Sequence, residues 1–205
     1  MKSTRFNPPI DWKPTVMNDQ KTRINRYFFG LIDLMGAVAN HFSSPFRENT
    51  KMIEIGTYGG ESTLLFASSL AFDHIYCIDP FEGKEAMNNI NNKKWDDVKA
   101  DFNQNTKWFN GDGSKLGETK VELINDYSYN VVDQFEDKSI DFIYIDGSHD
   151  LKDIKRDIDL YLPKVKDSSF IGGHDYNWPG VEGLIKSYGK EVFHFGDESW
   201  VIKVI

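Results

Sequence analysis

Apolar positions along this chain fall into two spacings, and the alternation between them predicts the elements. Ile24, Tyr27, Phe28, Leu31, Ile32, Met35, Val38 and Phe42 recur every three or four positions, the period of a helix with one buried stripe. Met52-Ile53-Glu54-Ile55 is a compact run closed by Gly56, which predicts a buried strand and a tight turn. Ser62 to Leu70 suits a helix, and His74-Ile75-Tyr76-Cys77-Ile78 a second strand ending at Asp79-Pro80. Val121 to Ile124 predicts a third strand, with Val131, Val132 and Phe135 on a short helix after it. Ile140 to Ile145 is the strongest strand and ends at Asp146-Gly147. Leu151, Ile154, Ile158 and Tyr161 mark an amphipathic helix stopped by Pro163. Phe170 to Gly173 predicts a fifth strand and Gly180 to Tyr188 a helix. Val192 to Phe195 and Trp200 to Val204 flank Gly196-Asp197-Glu198-Ser199, a hairpin signal.

Strands alternating with helices imply an α/β fold with right-handed crossovers. We expect a doubly wound, mostly parallel seven-stranded sheet closed by a C-terminal antiparallel β-hairpin. Neither repeats nor an interdomain linker interrupt the pattern, so residues 1–205 read as one domain. Two stretches stand apart from it. Residues 1–45 form a Pro-punctuated arm and the first helix. Residues 83–119, rich in Asn, Lys, Asp and Gly, form an insertion with one helix marked by Trp95, Val98 and Phe102, and it could cover an acceptor site. Trp12, Phe28, Trp95, Trp108 and Phe109 could line that site or pack the core.

Composition narrows the partners. The net charge of −8 and the scattering of lysines among acids disfavour nucleic acid, which needs clustered cations. No run approaches the length of a membrane span, and the start MKSTRFNPPIDWKPT has no apolar signal core, so no membrane association and a cytoplasmic default are expected. The single cysteine, Cys77, excludes an internal disulfide and reads as a buried thiol. Assembly as a homo-oligomer stays open.

Candidate chemistry gathers at the carboxyl ends of the predicted strands, where open α/β sheets bind ligands. Glu54-Ile-Gly-Thr-Tyr-Gly-Gly60 runs into a helix, and Gly56 and Gly60 allow close backbone approach to a ligand. Tyr58 stands where a dinucleotide fingerprint has its second glycine. Asp79 suits the paired hydroxyls of a ribose. Asp126 and Ser128, after the third strand, would reach the base of a nucleoside, with Asp112 as a rival. Asp146 and His149 could face one pocket, where His149 is a candidate general base for a hydroxyl. Asp146 with Asp175, and with His174, could hold a divalent ion such as Mg²⁺ or Mn²⁺. A hydrolase is the rival for the Asp/His pair, but no G-x-S-x-G elbow is present. His194, in the hairpin, reads as structural.

The stretch Glu54-Ile-Gly-Thr-Tyr-Gly-Gly-Glu-Ser62 resembles the first motif of class I S-adenosylmethionine methyltransferases, and of the catechol O-methyltransferases in particular. Asp137 to His149, the helix to Pro163, Gly-Gly-His-Asp-Tyr176 and Phe195 to Ile202 resemble methyltransferase family 24, over about residues 50–205. This resemblance implies a Rossmann-like fold with S-adenosylmethionine as cofactor and a small-molecule or glycan hydroxyl as acceptor. Glu54, Gly56, Tyr58, Gly60 and Ser62 would surround the methionine part, Asp79 the ribose, and Asp126, Ser128 and Asp146 further parts of the cofactor site. Asp146, His174 and Asp175 match the metal positions of the catechol enzymes, with a histidine replacing one acid. His149 falls where those enzymes carry a catalytic lysine. An N-methyltransferase, or a non-catalytic nucleotide-binding module on the same scaffold, are the alternatives; a NAD oxidoreductase has different glycine spacing.

Overall fold

The computed structural model of the chain describes residues 29–42, 49–69, 71–83, 94–109, 119–196 and 198–204. The elements run α1 (Phe29–Phe42), β1 (Lys51–Ile55), α2 (Glu61–Ser68), β2 (His74–Ile78), α3 (Trp95–Thr106), β3 (Lys120–Ile124) and α4 (Ser128–Val131). They continue as β4 (Ile140–Ile145), α5 (Leu151–Tyr161), β5 (Val165–Gly173), α6 (Val181–Ser187), β6 (Val192–His194) and β7 (Trp200–Lys203). Every predicted strand has its counterpart.

Several boundaries differ from expectation, most by a single residue. β5 begins at Val165 rather than Phe170, because its first half is polar and partly exposed and joins β4 across a register shift between Ile140 and Phe142. α4 begins at Ser128, ahead of the apolar residues that mark it in the sequence, and tightens into a 3₁₀ turn at Val132–Gln134. α2 begins at Glu61, one residue early. The arm through residue 28, Leu70, Asp112 and the remainder of the insertion at 84–93 and 110–118 lie outside the described residues.

The seven strands form one sheet in the order β3-β2-β1-β4-β5-β7-β6. β1 pairs in parallel with β2 on one side and β4 on the other, so the strand order reverses between β1 and β4. The crevice for a ligand opens at that reversal. β7 runs antiparallel to both β5 and β6, and so the C-terminal hairpin closes one edge.

Strand alternation divides the core into two layers. Met52, Ile75, Cys77, Phe142 and Tyr144 face one side, where α1, α2 and α3 supply Leu34, Phe66 and Phe102. Ile53, Ile55, Ile143 and Ile145 face the other, where α5 and α6 supply Ile154, Ile158 and Ile185. Every residue of β4 is buried, as a central parallel strand requires. Phe109, a candidate pocket residue, belongs to the core. Among the described residues no helix is long and apolar enough to cross a membrane.

At the switch point two turns nearly touch. Gly56 sits at φ +85, and a Cβ there would lie 2.2 Å from Gly147 Cα and 2.3 Å from the Asp146 carbonyl oxygen. The Asp146 N–H donates to the Ile55 carbonyl (2.8 Å) and the Gly56 N–H to the Ile78 carbonyl (2.9 Å). Gly56→Ala must strain the backbone and push these strand ends apart, so we expect a loss of about 3 kcal/mol or more in urea unfolding. Gly183→Ala, in open space on α6, should be neutral or gain about 0.5–1 kcal/mol. Equal behaviour of the two variants would contradict the close approach.

Candidate active site

Glu54 ends in a sealed position beneath the turn after β1. It is 0% exposed; its Oε2 accepts hydrogen bonds from the Thr57 hydroxyl (3.1 Å) and from the Thr63 hydroxyl. The Cys77 thiol lies beneath it, with Sγ 3.9 Å from the same oxygen, and burial holds that thiol well above its usual pKa. Oε1 is buried and accepts no hydrogen bond among the described residues. Burial pushes the Glu54 pKa up to about 7, against the opposing pull of the Ser62, Thr63 and Thr57 hydroxyls and with a small upward push from Asp146. α2 follows with Gly60 at its N-cap (φ 80), which brings no capping side chain to the helix start.

Asp79 is brought against this turn. One of its oxygens accepts the Tyr58 N–H (2.9 Å) and the other the Phe81 N–H (2.7 Å). Asp79 is 7% exposed, and burial raises its pKa although the N–H groups of Phe81, Tyr58 and Thr57 work against that rise. Each oxygen retains a lone pair, enough for two hydroxyls. Tyr58 itself adopts φ 45, the left-handed conformation that a glycine would take without strain. Its hydrogen bond to Asp79 and its ring-edge contact with Trp95 (6.2 Å between centroids) hold it there. Thus α3 of the insertion covers the glycine turn. Asn105 Nδ2 donates to the Gly59 carbonyl (2.8 Å), and a Cβ on Gly60 would meet the Phe102 ring at 2.9 Å. Both Gly56 and Gly60 are therefore demanded by the protein's own packing.

The end of β3 is organised differently. Asp126 Oδ1 accepts the Tyr127 N–H and the Asn130 side-chain N–H, both at 2.7 Å, and so braces the start of α4. The Ser128 hydroxyl is buried and donates to Asp157 (2.6 Å), away from the β1–β4 crevice. Asn125 Nδ2 donates to the carbonyls of Asp79 (3.1 Å) and Pro80 (3.0 Å), which ties this loop to the ribose candidate.

Across the crevice, β4 and β5 deliver an acid–imidazole cluster. His149 Nδ1 lies 2.5 Å from Asp175 Oδ2, and His174 Nδ1 lies 3.1 Å from Asp175 Oδ1 and 3.9 Å from Asp146 Oδ1. A carboxylate only accepts, so the neutral His149 ring carries its proton on Nδ1 and leaves the Nε2 lone pair free. The Asp175 hydrogen bond raises the His149 pKa against the opposing effect of burial. Burial also acts to raise the Asp175 pKa, but its bonds with His149 and His174 outweigh that and leave it below the ordinary carboxylate range. Asp175 is held at φ 63, and the His174 carbonyl accepts the Trp200 indole N–H (2.9 Å). Asp146, His174 and Asp175 each offer one ligand atom, all within 4.8 Å of one another. His194 leans on Tyr176 at 5.1 Å, a packing role.

Sequence reasoning overlooks Thr57, Thr63, Phe81 and Asn125, whose contributions are a hydroxyl, a backbone N–H or a side-chain amide at a distance the sequence does not encode. It also passes over Trp178, which stacks on His149 at 5.0 Å. A tryptophan within a Pro-Gly turn beside Gly-Gly-His-Asp is the signal that could have found it.

A reversed parallel sheet with a glycine turn, an acid directly after β2 and an acid directly after β4 defines a Rossmann-like domain of the methyltransferase type. Residues 53–176 match the family described as a methyltransferase domain, methyltransferase family 24, and the chain belongs to that family. An uncharacterized protein of Sinorhizobium fredii is 25% identical over 129 residues, which cover 61% of this chain and 13% of that protein. An uncharacterized protein of Acanthamoeba polyphaga mimivirus is 26% identical over 159 residues, 77% of this chain and 64% of its own length. The chain therefore spans a minor part of the first relative and just under two thirds of the second. Among solved structures, a protein from Corynebacterium glutamicum superposes with a TM-score of 0.57 at 14% identity, covering 84% of this chain and 79% of that one. The precorrin-6y C5,15-methyltransferase of Geobacter metallireducens gives 0.52 at 14% identity, covering 83% and 86%. The TDP-rhamnose 3′-O-methyltransferase of calicheamicin biosynthesis gives 0.54 at 13% identity, covering 91% and 84%. These likenesses confirm the fold.

The Glu54 environment has a consequence for stability. The folded protein holds the Glu54 proton up to about 7, whereas the unfolded chain releases it near the ordinary value of 4.5. Stability is therefore full below that lower value and falls as pH rises through the window. Asp157, raised to about 6, adds to the fall at its acidic end. Glu54→Gln should flatten the difference between urea midpoints at about pH 5 and about pH 8 by on the order of 2–3 kcal/mol. An unchanged difference would contradict the buried, proton-holding site.

Proposed function

We propose that this domain transfers a methyl group from S-adenosylmethionine to a hydroxyl oxygen of a small molecule or a sugar. The observation that carries this is the His149–Asp175 pair at the switch point, which leaves Nε2 as a free, oriented base. A binding module needs no such base. A hydroxyl does need one. The family membership and the O-methyltransferase among the structural neighbours support the same reading.

The residues present fit the cofactor. Glu54 keeps one buried oxygen without a hydrogen-bond donor among the described residues, a complement to an ammonium group. The uncapped start of α2, with Gly60 and Ser62, suits a carboxylate. Asp79 would take the ribose hydroxyls, and the turn Gly56-Thr-Tyr58 would line the methionine part. Asp126 and the backbone around Ser128 would face the base, since the Ser128 hydroxyl is already committed to Asp157. S-adenosylmethionine supplies a methyl group on a positively charged sulfur that departs with the bonding electron pair.

The chain's own part is alignment and proton removal. His149 Nε2 accepts the hydroxyl proton as the oxygen forms its new bond to carbon, and Asp175 stabilises the imidazolium that results. Asp146 orients the acceptor. Holding acceptor and methyl donor in line is itself worth several kcal/mol. Two carboxylates and one imidazole within 4.8 Å also fit a divalent cation, and Asp146, His174 and Asp175 would hold it. Such an ion would polarise the acceptor oxygen; the mixed donor set suits Mn²⁺ as well as Mg²⁺.

Radiolabelled S-adenosylmethionine with a panel of sugars and phenols tests the proposal. His149→Ala should lower turnover about 10²–10⁴-fold and leave S-adenosylhomocysteine affinity nearly intact. Equal loss of both would assign His149 a structural role.

A further inference from the structure

Four large apolar side chains stand exposed among the described residues: Tyr129, Leu151, Trp178 and Phe193. Of these, Trp178 stacks on the candidate base, and Leu151 follows that base by two residues. Trp178 lies nearly parallel to the His149 ring, with 5.0 Å between centroids and 24° between planes, yet 46% of the residue remains in water. Its indole N–H makes no hydrogen bond among the described residues, so a donor stands free beside the base.

The loop that carries Trp178 is fixed at each step. The Trp178 N–H donates to the Asp175 carbonyl (2.9 Å), the Val181 N–H to the Trp178 carbonyl (3.0 Å) and the Tyr176 N–H to the Glu198 carbonyl (2.9 Å). Leu151 packs against the end of this loop, since a Cβ on Gly180 would meet its Cδ2 at 2.9 Å. A rigid, half-exposed indole costs hydration energy when nothing covers it, and aromatic rings of this kind recur at binding surfaces. The charges beside it restrict what can cover it. Asp146 and Asp175 lie on the same side, and Asp79 and Asp126 follow the neighbouring strand ends β2 and β3, so an anionic compound is repelled. The family match ends at residue 176, before this tryptophan.

We propose that Trp178 is the acceptor platform: an uncharged, hydroxylated ring lies against the indole with its reacting hydroxyl toward His149 Nε2. The inference rests on the methyl-transfer reading above. A pyranose offering a face of C–H bonds and a phenol offering a π face share this chemistry, and the experiment separates them.

The full chain, labelled with 5-fluorotryptophan and loaded with S-adenosylhomocysteine, is titrated by fluorine NMR with methyl glucoside and with catechol. Their carboxylated counterparts, methyl glucuronide and protocatechuate, serve as anionic controls. Trp178→Phe identifies the resonance. At least one neutral probe should shift it, the anionic counterpart of that probe should bind at least about tenfold more weakly, and Trp178→Ala should weaken the neutral probe by about tenfold. S-adenosylhomocysteine affinity should stay unchanged in both variants, which also shows that they are folded. A Trp178 resonance that neither neutral probe moves, or an anionic probe that binds as tightly, overturns the platform while the methyl-transfer reading stands. Loss of S-adenosylhomocysteine binding by the unmodified chain would instead remove the reading beneath it.

Discussion

The turn after β1 is stitched to its two parallel neighbours by backbone alone, and the site depends on that stitching. The Gly56 N–H reaches the carbonyl that ends β2, the Asp146 N–H reaches the carbonyl that ends β1, and the missing side chain of Gly56 lets the two turns touch. A side chain at Gly56 would separate the strand ends by roughly its own width. Because the contact is so close, the turn that would cradle a cofactor, the acid after β2 and the acid after β4 share one crevice. Sheet topology supplies the reversal, and this contact sets its scale.

Charge is handled differently on the two sides of the crevice. On the β1–β2 side the acids are buried among hydroxyls and backbone N–H groups, with pKa values pushed upward by desolvation. On the proposed reading, such groups would meet the cationic and hydroxylated parts of a ligand. On the β4–β5 side, Asp175 is kept ionised by two imidazoles, and it fixes the tautomer of one of them. Opposite pKa directions a short distance apart are what a reaction needs when one side binds a cofactor and the other moves a proton.

The fold was legible because its strands are compact apolar runs bounded by Gly, Asp and Pro. Where β5 was misjudged, four polar residues, Lys166 to Ser169, break the apolar pattern while the backbone continues the ladder. The site was legible as positions and less so as contacts. Glu54, Asp79, Asp146, His149, His174 and Asp175 do gather at one edge of the sheet. Ser128 turns out to face Asp157, a partner on α5 that no local pattern discloses. The roles of Thr57 and Thr63 beneath Glu54 depend on the path of the turn in space. Trp178 looked unremarkable in sequence because its exposure is a property of the folded loop.

Whether one crevice holds both cofactor and base is decided most directly by a crystal structure of the full chain with S-adenosylhomocysteine. The account predicts ribose hydroxyls within hydrogen-bond reach of Asp79, about 2.6–3.2 Å, and a sulfur that faces the pocket of His149 Nε2. A nucleoside seated elsewhere on the surface, or an Asp79 carboxylate turned away from it, would contradict the account.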